Sequence, residues 1–381
     1  MNDKIHKFRE TFSVVEEGIY VNHAAVSPMN SLHQKAFEEY YRSRSHFPVD
    51  IYPDIMKLKS EFKQNIASLI HAEGEHSIAI VSNTSTGLNI IANGLDWNVG
   101  DEIVLNTVEF PANVYPWLNL ERRGVRLKWI NPDDQGRITP ESIISAASNK
   151  TRLVAISFVQ FLSGYRADLA AIGKFCKEND IYFAVDGIQG TGVMPLDVQE
   201  MCIDFLAAGG HKWLMWPMGM GFLYIRPDLI EKIYPAFAGW LSVKDSWNFF
   251  DYRLDFLDTA EKLEGATNNF LGMTIAHKIL SAFQEIGTEQ ISEKILGLNR
   301  ILIDGFLDMG ISIVSPINSG ERSGILSIQV DDAENVFKAL LDSGIVVSLR
   351  EGRIRFSPHF YNTEDEMEHI LHRLKEILLD S

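Results

Sequence analysis

The chain has 381 residues, 46% of them hydrophobic and 23% charged, which is ordinary for a globular protein with one large domain and a smaller one. Its 35 Lys and Arg against 51 Asp and Glu give a formal charge of −16, which argues against nucleic acid or an anionic membrane as the main partner. That charge still allows a small anionic ligand in a local pocket.

The two cysteines, Cys176 and Cys202, show no metal-ligand spacing and suggest no disulfide framework. The N-terminus MNDKIHKFRE is charged and helix-like, and no run of about 18 apolar residues predicts a membrane span. We therefore expect a cytoplasmic protein without a metal site.

The first two thirds of the chain alternate strand and helix patterns. GIYVNHAAVSP predicts a short extended segment that turns at Pro28, and helical periodicity runs from about Ser31 to Ile70. The turn SNTST then leads into a helix that opens at Gly87. Strands are predicted in DEIVLNTVEF, RLKWINPD, RLVAISFVQFLSG, IYFAVDGIQGTG, DFLAAGGHK and GMGFLYIRPDL, with the helices TPESIISAAS and DLAAIGKFCKEND among them.

This alternation predicts an α/β large domain over residues 18–263, with a mostly parallel sheet covered by helices. Ligands bind beyond the carboxyl ends of such strands, so SNTST, FVQFLSG and DGIQG are candidate site elements. After about Glu264, a long helical stretch to about Met309 precedes a β-α-β-β-α pattern. We expect a small α+β domain over 264–381, with the segment 1–17 packed against it.

The stretch DFLAAGGHKWLMWP places Lys212 between glycines and two tryptophans, with little other charge nearby. An apolar setting disfavours the ammonium form and makes a lysine a better nucleophile. The stretch alone also fits a lysine that reaches solvent from a loop after a buried strand.

Other motifs have a chemical and a structural interpretation. SNTSTGLN opens a helix whose N-terminus favours a phosphate, or is an ordinary N-cap. Asp186 follows a buried strand and can pair with a protonated heterocyclic nitrogen, or can simply end the strand. Phe110 can stack on a flat ligand or pack in the core. Arg355, on the same strand face as Arg353, can bind a carboxylate or form a surface ion pair.

The order of these features resembles the layout of pyridoxal 5′-phosphate (PLP) enzymes. In particular, DGIQG…GGHK together with SPHFYNTEDE resembles the class V aminotransferase group of fold-type I PLP enzymes, which includes cysteine desulfurases, kynureninase and isopenicillin N epimerase-like proteins. The resemblance covers nearly the whole chain, from VNHAAVSP to RFSPHFYNTEDE. It implies the fold-type I architecture, PLP as the cofactor and an amino acid as the substrate.

The resemblance implies roles for residues around the cofactor ring. Lys212 resembles the lysine that forms the Schiff base, and Asp186 resembles the partner of the pyridine nitrogen; these two are the expected catalytic residues. Gln189 resembles the glutamine beside the ring's phenolic oxygen. Phe110 occupies the position of the stacking ring, which is often a histidine in desulfurases. Gln160 is a looser match to an asparagine near the ring oxygen.

Other positions match the phosphate site. Ser85 and Thr86 resemble the phosphate-loop residues, and His211 resembles the histidine on the phosphate side. Thr267 looks like the threonine that reaches the phosphate of a neighbouring subunit, which implies a homodimer with shared active sites. Gly209 departs from the pattern, because many relatives have a phosphate-binding serine there.

The substrate side involves both ends of the chain. Arg355 resembles the arginine that holds the substrate α-carboxylate, and Asn22, His23 and Ala24 match the segment that lines the substrate entrance. We expect side-chain selectivity to lie in this segment and in FAGWLSVKDSWNFFDY, whose aromatic residues fit either a substrate pocket or a dimer interface.

The resemblance implies a PLP-dependent enzyme acting on the Cα of an amino acid, with aminotransferase or epimerase chemistry as the first expectation. The alternatives are a C–S or other β-lyase or a kynureninase-like hydrolase without a catalytic cysteine, and a non-catalytic PLP-binding regulator. Cysteine desulfurases carry a catalytic cysteine between the two strands that hold the late arginines. Here LREGRIR joins those strands almost directly, which argues against persulfide-type desulfuration.

Overall fold

The computed structural model describes residues 3–379, so the outermost residues of the predicted terminal segments lie outside it. The helices are α1 (Asp3–Arg9), α2 (Val14–Glu17), α3 (Ser31–Ser45), α4 (Tyr52–Leu69), α5 (Thr84–Gly94), α6 (Tyr115–Leu118), α7 (Pro140–Ala146), α8 (Leu169–Glu178), α9 (Phe270–Ile286), α10 (Thr288–Asp308), α11 (Ala333–Asp342) and α12 (Glu364–Leu379). The strands are β1 (Ile19–Tyr20), β2 (Ile78–Val81), β3 (Glu102–Asn106), β4 (Arg126–Ile130), β5 (Thr151–Ser157), β6 (Tyr182–Asp186), β7 (Phe205–Gly209), β8 (Gly221–Ile225), β9 (Ser312–Ile313), β10 (Leu326–Gln329), β11 (Ile345–Val346), β12 (Ser348–Arg350) and β13 (Arg353–Phe356).

The large sheet has seven strands in the order β2-β8-β7-β6-β5-β3-β4. Strand β8 runs antiparallel to both neighbours, and the other pairings are parallel. Every residue of β2, β3, β7 and β8 is buried, as expected for strands covered by helices on both faces. The predicted α/β class with a mostly parallel sheet is confirmed.

The carboxyl ends of the parallel strands form one edge of this sheet. Strand β6 ends at Asp186, whose Cα pairs with Ser157 on β5 and with Ala207 on β7. Strand β7 ends at Gly209, three residues before Lys212. The register therefore brings the acidic and the basic candidate residues to the same edge.

Two helical predictions need correction. The stretch from Ser31 to Ile70 is two helices, because the chain breaks around Pro48, which lacks a backbone N–H and restricts the residue before it. The stretch up to Met309 is likewise two helices, α9 and α10, which meet at Gly287 with φ of +93°.

The C-terminal part contains an antiparallel sheet in the order β12-β13-β10-β9, packed with α10, α11 and α12. Its buried cluster includes Leu302, Leu326, Ile354 and Ile370. This agrees with the predicted small α+β unit. The two-residue strand β9 was not predicted, since it is too short to carry a pattern.

Segment 3–17 contacts residues of the C-terminal third. The Phe12 ring stacks on Tyr361 at 4.1 Å between centroids, and Arg9 pairs with Glu366 at 2.7 Å. Helix α9, however, shares its buried cluster with the large sheet. The division of the chain at residue 264 stays a prediction.

Within residues 3–379, no helix combines the length and the apolar character needed to cross a membrane. Nor do three or more His, Cys, Asp or Glu side chains of this range cluster as metal ligands would.

Candidate active site

A cavity of about 290 Å³ lies at the carboxyl edge of the large sheet and contains both Lys212 and Asp186. Its lining comes from the loops after five strands, the N-terminal segment and the β12–β13 hairpin: Ala24, Ala25, Asn83, Thr84, Ser85, Phe110, Ala112, Phe161, Asp186, Ile188, Gln189, His211, Lys212, Arg350 and Arg355. A larger cavity of about 770 Å³ is lined by Gln160 and Arg353 and lacks both central residues. Because only the smaller cavity contains Lys212 and Asp186, we take it as the candidate active site.

Lys212 and Asp186 attract each other electrostatically within the cavity. Burial lowers the pKa of the Lys212 ammonium, and Arg355 and Arg350 lower it further, while the Asp186 carboxylate opposes them. Burial raises the pKa of the Asp186 carboxyl, although the backbone N–H of Ile188 donates to its Oδ1 at 3.0 Å. Lys212 is thus a lysine with an accessible neutral form, and Asp186 is a carboxyl group poised for a cationic partner.

Phe110 and Gln189 flank this pair. The Phe110 ring lies over Lys212, with 5.5 Å from the ring centroid to Nζ. Gln189 is buried; its Nε2 donates to the Ala24 carbonyl oxygen at 3.1 Å, and its Oε1 accepts from the Trp213 indole at 2.8 Å. The two hydrogen bonds fix the Gln189 side chain at the cavity wall.

The first turn of α5 lines the opposite part of the cavity through Asn83, Thr84 and Ser85. The Asn83 side chain caps the helix by accepting from Thr86 N at 2.9 Å. Such a helix start presents backbone N–H groups and a positive dipole end, which favour an anion. Helix α5 begins at Thr84, earlier than the predicted opening at Gly87.

Thr84 contacts Gly209, the position that departs from the pattern. The Gly209 N–H donates to the Thr84 hydroxyl at 2.9 Å. A Cβ at Gly209 would lie only 3.3 Å from that hydroxyl and 3.4 Å from His211 Nδ1. A serine at 209 would therefore make a tight contact with the Thr84 hydroxyl, beside the cavity.

Arg355 is a buried cation without an acidic partner. It is 2% exposed, and no carboxylate within residues 3–379 lies at salt-bridge distance. Its Nη1 donates to the Phe161 carbonyl oxygen at 2.7 Å, its Nη2 lies 3.5 Å from Ser348 Oγ, and its Nε has no partner. A buried guanidinium with a free donor at a cavity wall is suited to bind a carboxylate.

The structure brings together Ala24, Ser85, Phe110, Asp186, Gln189, His211, Lys212 and Arg355 from the sequence-based set. The remaining five, Asn22, His23, Thr86, Gln160 and Thr267, do not line this cavity.

Each of those five has other surroundings. Asn22 accepts from Ser348 Oγ, and His23 is buried between Ser357 and Tyr361. Thr86 Oγ1 lies 2.8 Å from Ser82 Oγ, at the back of the helix start. Gln160 donates to Glu109, and Thr267 is exposed.

Sequence reasoning missed Asn83, Thr84 and Arg350 as lining residues. The first two lie within the motif SNTSTGLN, so the helix-capping pattern contained a signal for them. Arg350 had a weaker signal, since it directly precedes the two-residue turn that reverses the strand.

The arrangement fits PLP. The neutral-prone amine of Lys212 suits a covalent bond to its aldehyde, and Asp186 suits its ring nitrogen. The start of α5 suits its phosphate. The unpartnered Nε of Arg355 suits the carboxylate of an amino acid beside it. A single cavity thus offers one matching group for each functional part of the cofactor and substrate.

Known proteins resemble the chain over nearly its full length. The family described as Aminotransferase class-V matches residues 19–370. A probable cysteine desulfurase of Pyrococcus abyssi is 29% identical over 97% of this chain and 96% of its own. An uncharacterised aminotransferase of Bacillus subtilis is 26% identical over 96% of each chain.

Two solved structures share the fold closely. The apo cysteine desulfurase of Thermococcus onnurineus has a TM-score of 0.89 and 26% identity, over 98% of each chain. A cystine C–S lyase in complex with its reaction product, cysteine persulfide, has a TM-score of 0.87 and 25% identity, over 94% of this chain and 98% of that one.

Proposed function

The chain belongs to the class-V aminotransferase family of PLP-dependent enzymes, and we propose that within this family it is a carbon–sulfur lyase that works without a catalytic cysteine. The family and the cofactor expected from the sequence are thereby confirmed. The proposed substrate is an amino acid that carries a sulfur substituent on Cβ. Aminotransferase or epimerase chemistry, the first expectation from the sequence, has less support than this alternative.

The carrying observation is the lack of a thiol at the site. Neither of the chain's two cysteines lines the cavity. Cys176 is buried on α8, where burial raises the pKa of its thiol, and Cys202 lies beside Asp204 and Arg226 on another cavity. The β12–β13 connection is only Glu351 and Gly352, too short to carry a nucleophile toward Lys212. No cysteine is placed to accept sulfur from a substrate.

Without such an acceptor, sulfur leaves by β-elimination. A substrate R–S–CH₂–CH(NH₃⁺)–COO⁻ and one water give RSH, pyruvate and ammonium. When bound, PLP supplies an electron sink for the pair released from Cα. Arg355 binds the carboxylate and so orients the substrate. Lys212 Nζ takes the Cα proton, which its lowered pKa allows near neutral pH.

The cavity also favours an acidic leaving group. Phe110 has no proton to give to the departing sulfur. Burial and Lys212 lower the pKa of His211, which disfavours the imidazolium form that could protonate the departing sulfur. A persulfide or an acidic thiol leaves without protonation, which favours disulfide amino acids over S-alkyl ones. The similarity to a cystine C–S lyase supports the same substrate class.

Product analysis tests the proposal. The purified holoenzyme would be supplied with cystine, cysteine, an S-alkyl cysteine and alanine, and pyruvate, ammonia, alanine and sulfane sulfur would be measured. We expect many turnovers of pyruvate and persulfide from cystine and no alanine. Alanine with a protein-bound persulfide would indicate a desulfurase. Keto acid formed only when an amino acceptor is added would indicate an aminotransferase.

We also propose a homodimer. The segment around Trp247, Phe250 and Tyr252 exposes these rings at 61%, 88% and 88%, an unusual cluster for a monomer surface. Thr267 is exposed and does not line the cavity of its own subunit, as expected for a residue that contributes to the site of a partner subunit. Light scattering would test the oligomeric state. Thr267→Ala should weaken cofactor affinity without changing the molar mass of the assembly. A monomeric holoenzyme would refute this proposal.

A further inference from the structure

Glu109 is a buried carboxylate without a cation at salt-bridge distance among the described residues. Its Oε1 accepts from Asn106 Nδ2 at 2.7 Å, from Ser157 N at 2.8 Å and from Gln160 Nε2 at 3.0 Å, and its Oε2 accepts from Ser157 Oγ. The donors come from the carboxyl ends of β3 and β5 and the loop after β5. Burying a carboxylate is costly in free energy unless hydrogen bonds satisfy it. The four neutral donors offset this cost and hold the Glu109 side chain in one position.

Glu109 and Gln160 each precede an aromatic residue of the cavity. Phe110 follows Glu109, Phe161 follows Gln160, and the two rings meet edge to face with centroids 5.3 Å apart. The carboxylate–amide hydrogen bond thus links the two residues that directly precede the ring pair, one member of which lies over Lys212. The Phe161 carbonyl oxygen also accepts from Arg355 Nη1.

The Phe110 ring needs such an anchor. It is 44% exposed, so core packing does not fix it. On its C-terminal side, Pro111 and the buried Asn113 hold the chain, since Asn113 N donates to the Phe110 carbonyl oxygen at 2.9 Å. On its N-terminal side, the Glu109 side chain provides the corresponding attachment.

We propose that Glu109, through its hydrogen bonds to Gln160 and Ser157, is a positioning residue that holds the Phe110 ring over Lys212 and thereby sets the pose of the cofactor. Gln160, expected from the sequence near the cofactor's ring oxygen, is in this proposal part of the support through its bond to Glu109. The inference depends on cofactor binding in the cavity and not on the leaving group, so it is independent of the lyase chemistry.

The test compares Glu109→Ala with Glu109→Gln in the holoenzyme. The readouts are the visible circular dichroism of the bound cofactor, which reports its pose, and its dissociation constant. Glu109→Ala should change the dichroism as Phe110→Ala does and weaken cofactor affinity roughly two- to tenfold, the worth of one aromatic contact. Glu109→Gln should keep both near wild type, because its amide oxygen can accept the three Oε1 bonds while Ser157 Oγ turns to accept.

A double-mutant cycle tests whether Glu109 acts through the ring. In a Phe110→Ala background, Glu109→Ala should cause little further change. Additive effects, or an alanine variant with wild-type dichroism and affinity, would overturn the inference. If Glu109→Gln changes the dichroism and affinity as Glu109→Ala does, the inference is also overturned, because the negative charge and not the hydrogen bonds of Glu109 would then cause the effect.

The chain offers a matched control and a milder variant. Glu102 is a buried carboxylate at the other end of β3, hydrogen-bonded by Ser148 Oγ at 2.6 Å. Glu102→Ala should leave the dichroism unchanged; an equal change there would make the effect a general one of β3 and overturn the inference. If Glu109→Ala does not fold, Gln160→Leu removes one bond at similar size and should shift the same signals part of the way. Unchanged signals in Gln160→Leu would overturn it too.

Discussion

Replacing Arg355 by methionine is expected to separate stability from activity. The guanidinium is 2% exposed, and burial, reinforced by Arg350, holds its pKa at about 10, well below the ordinary value. Each pKa unit corresponds to about 1.4 kcal/mol, so keeping the Arg355 guanidinium charged lowers the free energy of unfolding by about 3 kcal/mol. Methionine removes this cost and keeps an apolar stem of similar length.

The substitution has an opposing cost. Arg355 Nη1 donates to the Phe161 carbonyl oxygen at 2.7 Å, and a buried acceptor left without its donor costs about 1–3 kcal/mol. The bond to Ser348 Oγ is long at 3.5 Å and contributes little. The cost removed with the charge exceeds the cost of the lost hydrogen bond, which leaves the apo variant more stable than wild type by about 1 kcal/mol.

Activity should move in the other direction. If Arg355 binds the substrate carboxylate, its truncation leaves a buried anion unpaired, which costs about 2–5 kcal/mol, or about 30- to 5,000-fold in kcat/KM. Urea unfolding of the apo protein and steady-state kinetics of the holoenzyme measure the two effects. Arg353→Met, two residues earlier on β13 and beside the neighbouring cavity, should leave KM unchanged. A less stable Arg355→Met protein with wild-type kcat/KM would refute the reasoning.

Three further predictions concern ionisation. Because burial lowers the pKa of Lys212, apo protein should bind PLP faster as pH rises, with a midpoint below the value of about 10.4 for an exposed lysine. Lys212→Ala should abolish the visible absorption of the lysine-bound cofactor, and stopped-flow absorbance measures both effects. Asp186→Asn should retain the cofactor but reduce kcat by roughly 10²–10⁴-fold, measured by turnover at saturating substrate. Burial lowers the pKa of His23 in the folded protein to about 3, so that as pH drops this histidine is protonated in the unfolded chain before it is protonated in the folded one. The free energy of unfolding should therefore fall between about pH 6.5 and 3. Melting curves of wild type and His23→Phe across this range test the sign.

The sequence predicted those parts of the site that lie directly after buried strands. Asp186 and Lys212 follow β6 and β7, and the parallel register then places them at one edge without further information. Strand alternation placed Arg353 and Arg355 on one face, and the family resemblance singled out Arg355. The same logic gave the sheet class, because continuous apolar strands alternated with helices.

What the sequence did not reveal depends on side-chain orientation in three dimensions. Gln160 comes just after β5 and Asp186 ends β6, yet the Gln160 amide donates to Glu109 and the residue does not line the cavity. Glu109 carries no local pattern, since its donors come from residues up to 51 positions away. Two helices were merged in each of two stretches because apolar periodicity continued across Pro48 and Gly287.

The charge distribution links the acidic chain to its proposed ligand. The formal charge is −16, but the cavity is lined by Lys212, Arg350 and Arg355 against the single carboxylate of Asp186. Such a local cationic excess suits two anionic groups, the cofactor phosphate and a substrate carboxylate, while the acidic exterior repels polyanions. Electrostatic attraction inside the cavity therefore need not extend beyond it, and salt should weaken substrate binding far less than it would at an exposed basic surface.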